Sequence, residues 1–140
     1  MNKSELQQLV DDRVIDAQAL LDAKRWSAAY YLAGYAAECA LKACVLSYVE
    51  ENSDVIFREK RYSDRCWTHD LESLLDLANL KAARDSESAT NTQFGENWLT
   101  ATDWNPESRY RATSEAKAKE LFDAITNSTR GVLQWIKAHW

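Results

Sequence analysis

Three groups of side chains in this 140-residue sequence have types and spacing that could do chemistry. Glu38 and Lys42 stand four apart in the Glu-to-Lys order that pairs best on a helix. They form either a solvated surface pair, worth about 0.3–0.5 kcal/mol, or a partly buried pair lining a polar site beside Tyr31 and Tyr35. Arg65 and His69 are the second group. A guanidinium that holds a phosphate and an imidazole that moves a proton are what phosphodiester cleavage needs; the alternative is a helix-start histidine bonded locally. The third group is Trp98, Trp104, Arg109, Tyr110 and Arg111. Arginine beside aromatic rings suits a nucleotide, with the guanidinium on phosphate and a ring on the base. The alternative places Arg109 on Trp104 as a cover of the fold, with Tyr110 in the core. A weaker strip interleaves Arg58, Lys60, Arg61 and Arg65 with Phe57, Tyr62 and Trp67, a pattern able to grip single-stranded nucleic acid. Glu59 and Asp64 dilute it, and the alternative is a solvated loop.

Other chemistries find no support. Two distant histidines and scattered cysteines have no metal-ligand spacing, and no cofactor is expected. Cys39 and Cys44 lie in an apolar run and read as small core residues. No glycine-rich phosphate loop occurs among three glycines. A net charge of −5 argues against general nucleic-acid affinity, although a local basic patch would suffice for a specific site. Three cysteines without a C-x-x-C pair read as reduced thiols, and with a polar, acidic start to the chain they imply a cytoplasmic protein.

The elements that must carry these groups are helices in one domain spanning residues 1–140. Three glycines and one proline leave few breakers. A first helix is expected over 4–24, capped by Ser4, with Leu6, Val10, Val14, Ala17 and Leu21 as its apolar stripe. The second, over about 26–50, is apolar almost all round, and such a helix is buried on most sides. It is either the central helix or half of a subunit interface. A membrane span is rejected because Glu38 and Lys42 fall mid-helix, where a charge costs roughly 2.5–3.5 kcal/mol on insertion scales. Residues 51–67 read as a polar connection. Thr68 reads as the cap of a short leucine-rich helix, 83–95 as loop, and Asn105-Pro106 as a cap followed by proline at the first helical position. One last helix is expected from 113 or 114 to the C-terminus, with Gly131 inside it at a cost of about 1 kcal/mol.

The run from Trp26 to Ala43, WSAAYYLAGYAAECALKA, resembles the second-helix signature of HEPN domains, in which an aromatic-rich turn precedes Ala-x-Glu-x-x-Leu-Lys-Ala. Thr68-His69-Asp70-Leu71 with Leu74 and Leu75 is similar to the family's next element, and Trp104 with Arg109-Tyr110 to a Trp…Arg-Tyr element of one subgroup. The resemblance spans about residues 5–140. It implies an all-α, up-and-down bundle of four to five helices, often a homodimer, here joined through part of the second or last helix. It also implies a nucleotidyltransferase-domain partner, in the manner of toxin–antitoxin or defence pairs, and a nucleotide or RNA ligand. Many members are metal-independent ribonucleases carrying Arg-x(4–6)-His in a late helix. This chain departs from that motif: the allowed positions before His69 are Tyr62, Ser63 and Asp64, and those before His139 are Val132, Leu133 and Gln134. The expectation is therefore a non-catalytic module binding nucleotide or RNA through Arg109, Tyr110, Trp104, Glu38 and Lys42, or docking the nucleotidyltransferase. The alternatives are a ribonuclease toxin using Arg65 and His69, and a structural adaptor docking a protein through a Trp-rich surface.

Overall fold

A computed structural model describes residues 1–140, all helix and connection with no strand. In chain order the elements are α1 (Lys3–Asp22), α2 (Trp26–Glu51), α3 (Val55–Arg58), α4 (Tyr62–Arg65), α5 (Leu71–Leu77), α6 (Lys81–Thr90), α7 (Thr92–Thr102), a 3-10 turn (Pro106–Tyr110), α8 (Glu115–Thr126) and α9 (Val132–Lys137). They form a helical bundle built round α2, which packs most extensively on α1 and also touches α5, α8, α9 and the 3-10 turn.

α1 begins two residues earlier than the Ser4 cap expected. Asn2 Oδ1 accepts from the Glu5 amide at 2.9 Å, and Glu5 Oε2 accepts from the Asn2 amide at 2.8 Å. This reciprocal pair satisfies two of the free N–H groups at the helix start. Of the expected stripe, Leu6, Val10, Ala17 and Leu21 are buried and Val14 is partly buried against the core. The helix ends in a Schellman turn: the Lys24 amide donates to the Leu21 carbonyl and the Arg25 amide to that of Leu20. Lys24 occupies the left-handed position at φ 57°, where glycine is usual.

α2 is as enclosed as its composition demands. Between Ala33 and Val45 every residue is buried except Tyr35 and Lys42. The helix is long and apolar enough to cross a membrane by length and composition, but 61% of its apolar window is covered by the rest of the fold. Its small residues let neighbours come close. A Cβ built on Gly34 would stand 2.2 Å from Cγ of Trp104, so the indole lies directly on the glycine.

Several local expectations change. Residues 83–95 are not a loop: α6 fills 81–90 and α7 starts at 92. α6 fully buries none of its residues, so no apolar stripe announced it. It is held by packing on α7 and by Arg84, which bonds both Glu72 and Asp85. Nor does the last helix run unbroken. Asn127 Oδ1 accepts from the Thr129 and Arg130 amides at 3.1 and 2.9 Å, closing a turn between α8 and α9. Gly131 caps α9 instead of sitting inside a helix, and a Cβ there would come within 2.4 Å of the Asn127 carbonyl. Asp70, not Thr68, caps α5, accepting from the Ser73 amide at 2.7 Å. The 51–67 connection holds two short helical turns anchored by buried Val55 and Tyr62, whose hydroxyl donates to the Leu77 carbonyl at 2.6 Å. Asn105-Pro106 does open a helical segment, a 3-10 turn.

Alanine at Gly34 would gain helix propensity of about 1 kcal/mol, but it cannot enter without displacing the Trp104 ring. Gly34→Ala is expected to destabilise the fold by about 1–3 kcal/mol, the usual cost of overpacking, as a lowered midpoint in urea denaturation; an unchanged midpoint would contradict the contact.

Candidate functional site

Two neighbourhoods on α2 hold the candidate residues. The first is a cleft of about 510 Å³ at the start of the helix, lined by Lys24, Arg25, Trp26, Ser27, Ala28, Tyr31, Arg109 and Thr113. Three of these are cations and none is a carboxylate. Arg25 occupies the N-cap position of α2 and makes no side-chain cap. The amides of Trp26, Ser27 and Ala28 donate to no backbone or side-chain acceptor. A helix of this length carries partial positive charge at its start, so free amides and three cations together suit an anion. The Ser27 hydroxyl accepts from the Thr113 amide at 2.9 Å, which ties the chain ahead of α8 to the cleft.

Arg109 reaches this cleft from the 3-10 turn. Its guanidinium lies 4.9 Å from the centre of the Tyr110 ring. The Tyr110 and Tyr31 hydroxyls beside it hold its pKa above the ordinary arginine value. Tyr110 is 73% exposed, not a core residue. Trp104 is the reverse: it is buried over Gly34 and beside Tyr31, with ring centres 6.1 Å apart, so its face is not offered to a ligand. Trp98 is buried as well, donating Nε1–H to Glu72 at 2.6 Å. Of the six tryptophans only Trp67 is exposed, Trp98 and Trp104 are buried, and Trp26, Trp135 and Trp140 are partly buried.

The second neighbourhood joins residues that the sequence kept apart. Glu38 is 1% exposed, and its Oε1 accepts from Lys42 Nζ at 2.8 Å and from His69 Nδ1 at 2.9 Å. A carboxylate in an apolar helix costs several kcal/mol unless it is paired and hydrogen-bonded; here two partners serve that need. His69 stays half-exposed, and with Nδ1 committed, Nε2 is the nitrogen left for solvent or a ligand. A buried carboxylate that fixes the tautomer and orientation of an exposed imidazole, beside an ammonium, is an arrangement able to move a proton next to a bound anion.

Arg65 does not join this group. Its guanidinium bonds Glu59, and also Asp76 at 3.2 Å, and the Glu59 hydrogen bond raises its pKa. The Arg65–His69 pairing of the sequence is thus replaced by Lys42–Glu38–His69. Arg58 is held by Asp54 in the same way, so half of the cations of the 57–67 strip are neutralised locally. Burial pushes Cys39 up to about 11 and Cys44 up to about 12, which leaves both as thiols at neutral pH. No group of histidine, cysteine and carboxylate side chains has the geometry of a metal site.

Lys24, Arg25 and Trp26 are cleft residues that sequence reasoning did not assign to a site, and Tyr31, expected beside Glu38 and Lys42, also lines the cleft. Lys24 and Arg25 read as charges suited to a helix end, and nothing in the spacing shows that Arg109, more than eighty residues later, returns to them.

No protein-family model, curated protein or solved structure matches the chain. In long-range proton–nitrogen NMR of the neutral imidazole, His69 is expected to carry its proton on Nδ1, with Nε2 bare; a dominant Nε2–H form would show that the Glu38 contact is not made.

Proposed function

We propose that this chain is a HEPN-type binding module that takes the phosphate of a nucleotide or RNA in the Arg109 cleft and does not cleave it. The observation that carries this reading is the uncapped start of α2, opening among Lys24, Arg25 and Arg109 with no carboxylate in the lining. Backbone amides bind phosphate oxygens directly, the guanidinium of Arg109 offers paired donors, and Tyr31 and Trp26 supply ring surface for a base. A homodimer working with a nucleotidyltransferase-domain partner belongs to the same reading through the family resemblance, and a cytoplasmic location through the cysteines read as reduced thiols. In equilibrium dialysis or fluorescence anisotropy, Arg109→Ala is expected to weaken nucleotide or RNA binding at least tenfold, the scale of one lost charge-assisted hydrogen bond. Its melting temperature should stay close to that of the parent chain, because Arg109 lies on the surface. A variant that changed only stability would remove the ligand site from this cleft.

Glu38, Lys42 and His69 favour a second reading, a metal-independent ribonuclease. His69 Nε2 would accept the 2′-hydroxyl proton as the 2′-oxygen bonds to phosphorus. The 5′-oxygen would leave with a proton from water, and Lys42 would hold the charged phosphoryl oxygens. Incubation with RNA in EDTA decides between the two. The first reading expects intact RNA; cleavage that His69→Ala abolishes would establish the second.

A further inference from the structure

Tyr31, Tyr35, Glu38 and Lys42 fall at i, i+4, i+7 and i+11 of α2, within one narrow face of the helix. Along the buried middle of α2 this face is the one that stays open, through Tyr35 and Lys42, with the Glu38 carboxylate beneath them. At its start Tyr31 lines the cationic cleft. At its far end Lys42 and His69 meet over Glu38. Between the ends the Tyr31 and Tyr35 rings are parallel within 6°, with centres 6.2 Å apart. From Tyr31 to Lys42 the helix rises about 16 Å. The face therefore has a cationic end, a pair of tyrosine rings, and a far end where the Lys42 ammonium and the His69 imidazole, both bonded to the buried Glu38 carboxylate, reach the surface.

From this arrangement we propose that the ligand is a single-stranded oligonucleotide lying along α2. One phosphate sits in the Arg109 cleft, one or two bases lie on Tyr31 and Tyr35, and a later phosphate reaches Lys42 and His69. The proposal rests on the Arg109 cleft reading and extends it from a single phosphate to a polymer. The placement of donors and rings argues for it. A lone nucleotide fills the cationic cleft and leaves Lys42 and His69, about 16 Å away along the helix axis, untouched. A strand with repeating phosphates and planar bases satisfies both ends and the rings between them. Stacking on tyrosine is tolerant of base identity, so recognition along this face follows strand length more than sequence.

The test compares a nucleoside monophosphate with single-stranded RNA and DNA hexamers by competition against a labelled oligonucleotide, for the parent chain and the variants Tyr35→Ala, Tyr35→Phe and Arg109→Ala. Hexamers are expected to bind at least tenfold more tightly than the monophosphate. Tyr35→Ala is expected to weaken hexamer binding at least fivefold, the low end of the loss for one stacked base, and to leave monophosphate binding unchanged. Tyr35→Phe, which keeps the ring, should restore hexamer binding; this separates a stacking surface from a folding defect. RNA and DNA hexamers binding alike would identify a track that reads phosphates and base faces; a preference for RNA would add contacts to the 2′-hydroxyl, and either supports the proposal. Equal affinity for hexamer and monophosphate, both weakened by Arg109→Ala, overturns the track and leaves the cleft reading standing. No binding by any probe overturns both.

Discussion

The carboxylate of Glu38 sets a condition that the surrounding structure has to meet. It lies almost fully buried in the middle of the most enclosed helix of the chain, where an unpaired charge would cost several kcal/mol. Lys42 answers from the next turn of the same helix, and His69 from the segment that leads into α5. Meeting the condition keeps one face of α2 open, because an ammonium and an imidazole both favour contact with water. A helix that is otherwise wholly core thereby acquires a polar window, and Tyr35 lies in the same window.

The rest of α2 works in the opposite sense. Alanine and glycine on its other faces let α1, α5, α8 and α9 approach closely, and Gly34 takes the Trp104 ring directly on its backbone. That contact brings the 3-10 turn against α2 and with it Arg109, which lines a cleft with Lys24 and Arg25 at the start of the helix. Lys24 is held there in a left-handed conformation at the end of α1, an unusual place for a residue with a side chain. Asn79, at the end of α5, adopts the same conformation, which asparagine tolerates better than lysine does. The cleft and the carboxylate site are thus placed by one helix, by what packs against it and by what it leaves open.

Periodicity over long apolar segments was legible without coordinates, as α1 and α2 show, because burial on one face or on all faces leaves a repeat in the residue types. α6 left no such trace, since it buries nothing fully and its only apolar residues are Ala82, Ala83 and Ala89. The break before α9 was hidden for a different reason. Val132 and Ile136 continue the apolar spacing of Leu121 and Ile125, while the Asn127 turn and the cap at Gly131 interrupt only the backbone. Caps were misplaced by two residues at α1 and α5 because serine, threonine, asparagine and aspartate are all competent caps, and backbone geometry chooses among them.

For the candidate sites the division is sharper. Glu38 and Lys42 were visible as a pair because four residues along a helix is one turn, a local relation that the residue order states by itself. So was the enclosure of the helix that carries them, since thirteen consecutive positions with almost no polar residue have few other places to go. Which cation and which imidazole share a site was not visible. Arg65 and His69 are near neighbours in the chain, yet the carboxylates of Glu59 and Asp76 take the first and Glu38 takes the second. Arg109 and Lys24, distant in the chain, line one cleft. Contacts of that kind depend on how the helices cross and on which carboxylate lies closest, and those are properties of the packed molecule.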